Sequence, residues 1–189
     1  MSVDRRNDFS KMSYTKEWTL FLDRDGVINK ELRDDYVTRW EEFIFEEGAL
    51  SALAKLAGIF GRIIIVTNQR GIGIQKMTEE DLKSIHGQMQ KEIEKAGGRV
   101  DAIYFAPSEN RSDIRRKPNP TMALEAQHDF PEIDLSKSVI VGNSISDMDF
   151  GRNAGMKTIF IDEKKKFLGL KTDVMDELYN SISDWTKSL

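Results

Sequence analysis

Apolar residues fall along this chain in two alternating spacings. Short runs with no helical period occur at Leu20, Phe21 and Leu22, at Ile63, Ile64, Ile65 and Val66, at residues 100–106, at Val139, Ile140 and Val141, and at residues 157–161. Bounded by turn residues, each reads as a buried strand. The β-branched run from Ile63 to Val66 gives the strongest signal, since it suits a strand covered on both faces of a parallel sheet. Between these runs the spacing becomes helical, over residues 48–57, about 78–96, 121–128 and 146–153, with one more amphipathic helix in the tail at 173–189. Thr78 with Asp81 three residues on predicts a capping box at the start of the second helix, with Asp in place of the usual Glu or Gln. Alternating strands and helices predict an α/β fold: a Rossmann-like parallel sheet, right-handed crossovers, and helices on both faces.

The segments between elements set the domain organisation. Residues 1–15 are polar and mixed in charge, and read as a flexible leader with Phe9 or Tyr14 as its anchor. Residues 16–189 then form a single domain. Residues 30–47 are charged yet carry Tyr36, Trp40, Phe43 and Phe45, more aromatic mass than a solvated linker needs. They predict an ordered loop around the rim of a site. Neither this segment nor residues 107–116 has room for a large cap domain.

Composition narrows the classes of function. A charged fraction of 32% against 39% hydrophobic suits a globular protein, and a net charge of −4 gives no reason to expect nucleic-acid or membrane binding. The chain has no cysteine, which excludes disulfides, a thiol nucleophile and a cysteine zinc site. No apolar run approaches the roughly 18 residues of a membrane span. The expectation is a cytoplasmic monomer.

In open parallel sheets, ligands bind beyond the carboxyl ends of the strands. The first strand ends in Asp23-Arg24-Asp25-Gly26. Side chains two apart on an extended backbone point the same way, so Asp23 and Asp25 can face one small volume. Like charges placed so close call for a cation or a shared proton, and Mg²⁺ suits one or two carboxylates beside phosphate and water. Asp-Arg-Asp-Gly is also ordinary turn chemistry, so the other strand ends decide. They carry Thr67 and Asn68, then Lys117, then Asn143 with Asp147 on the following helix. This set suits phosphoryl transfer. Asp23 can attack phosphorus, Asp25 can act as acid and then base, Thr67 and Lys117 can hold the phosphoryl oxygens, and Asn143 can offer an oxygen to Mg²⁺.

From Trp18 to Ile161 the chain resembles the haloacid dehalogenase (HAD) superfamily of phosphohydrolases. The resemblance rests on DRDGVIN, IIIVTNQRGI, RRKPNP and VIVGNSISDMDFGRNAG, in that order at strand ends. DRDG and TNQ-x-GI are similar to the branch that contains heptose bisphosphate phosphatases and the histidinol-phosphatase domain. Tyr36-Val37, the spacing to Phe45-Glu46-Glu47-Gly48, and Arg116-Lys117-Pro118 favour the heptose group. The resemblance implies Asp23 as nucleophile and Asp25 as general acid/base, with Asp25 also binding Mg²⁺ through its backbone carbonyl. It implies Thr67 and Lys117 as stabilisers of the phosphoryl group. Arg24, Asn68, Gln69 and Arg116 would bind substrate, Arg116 at a distal anionic part. Asp23, Asp25, Asn143 and Asp147 would surround Mg²⁺. The implied reaction is removal of the 7-phosphate from a heptose 1,7-bisphosphate. The alternatives are a histidinol-phosphate or other small-phosphate phosphatase, or a catalytically weakened phosphate-binding module.

Two departures from that branch stand out. Its zinc loop, with three cysteines and a histidine, is replaced by residues 106–115, which have neither residue type. No zinc is expected, and the loop must hold Arg116 and Lys117 by its own hydrogen bonds. Arg111 and Arg115 either add anion contacts or belong to a solvated charged loop. The two histidines, His86 and His128, read as surface or partly packed helix residues rather than ligands. Asn143 stands where the family usually has a metal-binding aspartate, which predicts weaker Mg²⁺ binding. Asp147 either compensates or serves the N-terminus of its helix.

Overall fold

The computed structural model describes residues 13–32, 35–163 and 174–189. Six parallel strands form one sheet: β1 (Thr19–Leu22), β2 (Arg62–Asn68), β3 (Ala102–Ala106), β4 (Ser138–Gly142), β5 (Lys157–Ile161) and β6 (Glu177–Tyr179). Their spatial order is β3-β2-β1-β4-β5-β6. The helices are α1 (Ala49–Ile59), the single turn α2 (Arg70–Gly73), α3 (Glu79–Lys95), α4 (Thr121–Asp129), α5 (Ile145–Ala154) and α6 (Ile182–Ser188). The expected parallel sheet with helices on both faces is what forms, without a large cap among the described residues.

The two-residue period of the strands builds the two faces. Leu20 and Leu22 of β1 join Ile63, Ile65, Val139 and Val141 in one core, against Leu53 and Leu56 of α1, Leu82, Ile85 and Met89 of α3, and Trp185 of α6. Phe21, Ile64, Val66 and Ile140 point the other way, against Met122 and Ala126 of α4 and Phe150 of α5. Each such fully buried side chain contributes about 1.5–3 kcal/mol relative to exposure. Every residue of β1 is buried, as the apolar run requires.

Thr78 and Asp81 form the expected capping box at α3. Tyr14 is a true anchor: its ring packs against Trp18, Phe60 and Trp185 at centroid distances of 5.2, 5.0 and 5.9 Å. Ordered packing thus begins before residue 16, while Phe9 and the other residues of 1–12 lie outside the described residues. The tail differs from expectation. It forms the short edge strand β6 before a helix of only 7 residues. Glu-Leu-Tyr has a single aliphatic residue, itself exposed, so no period marks it.

The sheet order reverses beside β1. The chain leaves β1 for β2 on one side and returns from β3 to β4 on the other, so β1 and β4 flank the switch point. Asp23 N donates to Val141 O at 2.9 Å, extending that pairing one residue past β1. Both aspartates of the opening motif therefore emerge at the crevice where open α/β sheets bind ligands.

Candidate active site

A cleft of about 210 Å³ lies over this switch point. Its lining includes Asp23, Asp25, Thr67, Asn68, Gln69, Lys117, Asn143 and Asp147, so strand ends far apart in sequence meet there. Glu31, Leu32, Asp35, Tyr36 and Val37 supply an outer wall. Main-chain bonds Lys30 N to Ile44 O (2.8 Å) and Glu46 N to Ile28 O (2.9 Å) tie the two ends of the 30–47 loop together. Trp40, Phe43 and Phe45 cluster beneath it. The aromatic residues give the loop a small core of its own.

Lys117 lies at the centre of the first cluster. Its ammonium is almost fully buried, 2.9 Å from Asp23 Oδ1 and 2.6 Å from Asp147 Oδ1, and donates to Val66 O at 2.8 Å. Burial alone would lower its proton affinity, but Asp147 and Asp23 hold it above the usual lysine range. Asp147 is fixed from the other side as well. Ser144 N and Ser144 Oγ donate to its Oδ2, completing a capping box at α5. Gly142 makes room for it, since a Cβ there would lie 2.2 Å from Asp147 Cβ. Of the two roles open to Asp147, the fold shows it capping α5 and pairing with Lys117.

Asp23 Oδ1 also accepts from Arg24 N at 2.8 Å. Burial, then the charge of Asp147, push the Asp23 carboxyl above the usual carboxylate range, while Lys117 pulls it down. Asp25 is held differently. Its Oδ1 accepts from Arg24 Nη2 (2.8 Å) and Asn29 Nδ2 (3.0 Å), and its Oδ2 from Gln69 Nε2 (3.0 Å). Burial pushes this carboxyl up, but Arg24 and the three donors outweigh it and hold it below the usual range.

Several expected site residues work through others. Gln69 Nε2 also donates to Thr67 Oγ1 at 2.8 Å, orienting the hydroxyl so that its own proton can go to a ligand. Asn68 clamps the Lys117 backbone, accepting from Lys117 N at 3.0 Å and donating to Lys117 O at 3.3 Å. Arg24 also belongs to the lining of the cleft, but its side chain is 1% exposed and bonded to Asp25 and His86. Arg116 does not line the cleft. It is half-buried, donates from Nη1 to Ser108 O, and has Arg70 and Arg111 as charged neighbours. Arg115 is engaged with Glu125 at 3.0 Å.

The 107–116 loop is held by local turns: Ser112 N donates to Asn110 Oδ1 and Arg115 N to Asp113 Oδ1. Asn119 Nδ2 closes it onto Asp113 O at 3.1 Å. Sequence reading did not assign Asn29 a role, although its spacing four residues after Asp25 is a visible clue. It also misjudged His86, which is 6% exposed and bonded to Arg24.

Among the described residues, Asp23, Asp25 and Asp147 pair with the cationic side chains Arg24 and Lys117, a formal balance of one negative charge. Asn143 lies against Gly26, whose φ of +80° and lack of Cβ allow the approach; a Cβ would sit 1.9 Å from Asn143 Nδ2. Among the described residues no group of three or more His, Cys, Asp or Glu forms a metal cage. A cation here would therefore lean on one free carboxylate edge, carbonyl and carboxamide oxygens, water and phosphate. That is the coordination Mg²⁺ accepts, so the residues fit it.

Comparisons with known proteins agree with this chemistry. A HAD-hydrolase-like family model matches residues 114–166. D-glycero-alpha-D-manno-heptose-1,7-bisphosphate 7-phosphatase of Burkholderia mallei is 40% identical over 156 residues, covering 77% of this chain and 80% of the relative. D-glycero-beta-D-manno-heptose-1,7-bisphosphate 7-phosphatase of Rhodopseudomonas palustris is 32% identical, with 72% and 78% covered. Among solved structures, the D,D-heptose 1,7-bisphosphate phosphatase of B. bronchiseptica, complexed with magnesium and phosphate, superposes with a TM-score of 0.79 at 26% identity, covering 89% of this chain and 96% of that one.

Proposed function

Because the chain belongs to the heptose-1,7-bisphosphate 7-phosphatase family of HAD-like hydrolases, we propose that it is a Mg²⁺-dependent phosphomonoesterase that removes the 7-phosphate of D-glycero-D-manno-heptose 1,7-bisphosphate. The observation that carries this reading is the pairing of Asp23 with buried Lys117, beside an Asp25 held by three donors, at the switch point of the sheet.

In the first step an oxygen of Asp23 forms a bond to phosphorus as the bond to the sugar oxygen breaks. Asp25 delivers a proton to that leaving oxygen. In the second step a water oxygen bonds to phosphorus, its proton passes to Asp25, and the bond to Asp23 breaks to release inorganic phosphate. The network around Asp25 favours the carboxylate needed as base in this second step. An arriving phosphate dianion raises its proton affinity for the first. Thr67 Oγ1 and Lys117 Nζ hold phosphoryl oxygens as charge develops on them. When bound, Mg²⁺ would supply positive charge beside Asp23, the Asp25 carbonyl, Asn143 and the phosphate. Arg116, with Arg70 and Arg111 near it and Asp113 and Glu109 partly offsetting their charge, supplies a cationic contact outside the cleft for the second phosphate of the sugar.

No described helix is long and apolar enough to cross a membrane. The test is phosphate release from a panel of sugar phosphates, with both heptose 1,7-bisphosphate anomers and histidinol phosphate, in Mg²⁺ or EDTA. The expected result is Mg²⁺-dependent release from a heptose bisphosphate that vanishes in Asp23→Asn. Release from no compound overturns the reading in favour of a phosphate-binding module.

A further inference from the structure

His86 lies on the core stripe of α3, one turn beyond Leu82 and beside Ile85 and Met89, where an apolar side chain is the default. An imidazole buried there costs stability unless its polar atoms are used. Its Nε2 is 3.3 Å from Arg24 Nη1. Arginine can only donate, so Nε2 accepts and the ring proton sits on Nδ1. The other arm of the same guanidinium, Nη2, donates to Asp25 Oδ1. The Phe43 ring lies 5.9 Å from Arg24 Cζ, and Arg24 Nε has no partner among the described residues. His86 and Asp25 are thus the two polar contacts that fix the plane of a fully buried guanidinium.

We propose that His86 is a positioning residue for the general acid: by holding Arg24 at Nη1 it fixes the arm that orients the Asp25 carboxyl toward the leaving oxygen. The inference rests on the phosphatase reading. With the His86 contact gone, the guanidinium pivots about its one remaining polar contact, and the Asp25 carboxyl, still bonded to Asn29 and Gln69, loses the fixed partner that sets its tilt at Oδ1. Binding of the phosphate, which depends on Thr67 and Lys117, is left intact. Burial and the Arg24 charge keep His86 neutral, so it serves as an acceptor and not as a charge.

The test uses leaving groups that differ in their need for a proton. A sugar alkoxide must be protonated as it leaves, whereas p-nitrophenolate leaves unaided. His86→Leu is expected to lower kcat on the sugar phosphate about tenfold, the scale of a small misplacement of a reacting group. Its KM stays within about twofold, and kcat/KM on p-nitrophenyl phosphate, which reports formation of the phospho-enzyme and leaves out the later use of Asp25 as base, changes less than about twofold. His86→Gln, which offers Oε1 to Arg24, retains most of the activity. Equal loss on both substrates, or no loss, overturns the proposal. Asp23→Asn run in parallel separates the two levels: wild-type release that is absent, or indifferent to this variant, overturns the phosphatase reading and the positioning role of His86 together. Nitrogen-15 NMR of wild type reads the contact without turnover. An unprotonated Nε2 is expected, and a protonated one overturns the proposal.

Discussion

Asp23 and Asp25 stand two residues apart at one strand end, and their surroundings push them in opposite directions. Asp23 shares a lysine with a third carboxylate, Asp147, and burial leaves it with a raised proton affinity. Asp25 accepts from an arginine and two carboxamides and is held as an anion. Separated affinities in neighbouring titratable groups mark a division of roles. The raised member awaits positive charge from a metal or a phosphoryl centre. The lowered member has solid anchors on both oxygens, as a proton shuttle needs if it is to return to one geometry after each step.

Breaking the Asp23 side should have the largest effect. Asp23→Asn removes the nucleophile, and phosphate release should fall at least about a thousandfold. Lys117→Met tests what holds that side together, because it leaves Asp23 and Asp147 buried without their cation. A loss of about 3–5 kcal/mol in urea denaturation is expected. A change below about 1 kcal/mol would mean that the pair is hydrated and that Lys117 is not its keystone. Asp25→Asn should lower kcat on a sugar phosphate about a hundredfold. The defect should shrink on p-nitrophenyl phosphate, since only Asp25 is tied to the leaving oxygen.

The metal edge of the comparison is sharpened by Asn143→Asp. A full negative charge near 4 Å from a cation is worth about 1 kcal/mol per unit charge even in water. Mg²⁺ affinity measured by calorimetry should therefore rise at least about fivefold. Unchanged affinity would show that a neutral oxygen beside Gly26 already suffices.

How much of this was legible in the sequence depends on the range of each interaction. Strand positions and the Thr78–Asp81 cap are local, so composition and period reveal them. The meeting of Asp23, Thr67, Lys117 and Asp147 is not local, but every one of those residues ends a strand or follows one, and the rule for parallel sheets brings such ends together. Arg24 shows where that logic stops. Its position between two site aspartates suggests a ligand contact, yet its side chain turns inward because His86, 62 residues away, offers an acceptor in the core. Nothing in the spacing along α3 distinguishes a histidine that fills the core stripe from one that holds an arginine. The partner of Asp147 was equally hidden, since capping and metal binding ask for the same residue type at the same place.

The smallest expected effect probes the far end of the Asp25 network through stability. In the unfolded chain His86 takes up a proton near pH 6.5. In the fold, burial first and the Arg24 charge second lower that value to about 3, against a weaker opposing pull from Asp25. Between these two values the unfolded state binds more protons, so acidification favours unfolding. The contribution is absent above about pH 7 and grows by up to about 1.4 kcal/mol per pH unit as the pH falls below about 6. Carboxylates elsewhere add their own slopes, so the measurement is the difference between wild type and His86→Gln in urea denaturation from pH 7 to pH 5. Glutamine keeps an acceptor for Arg24 but has no proton to gain. The variant should hold its stability better through that window, and parallel curves would mean that His86 is hydrated and titrates as it does in the open chain.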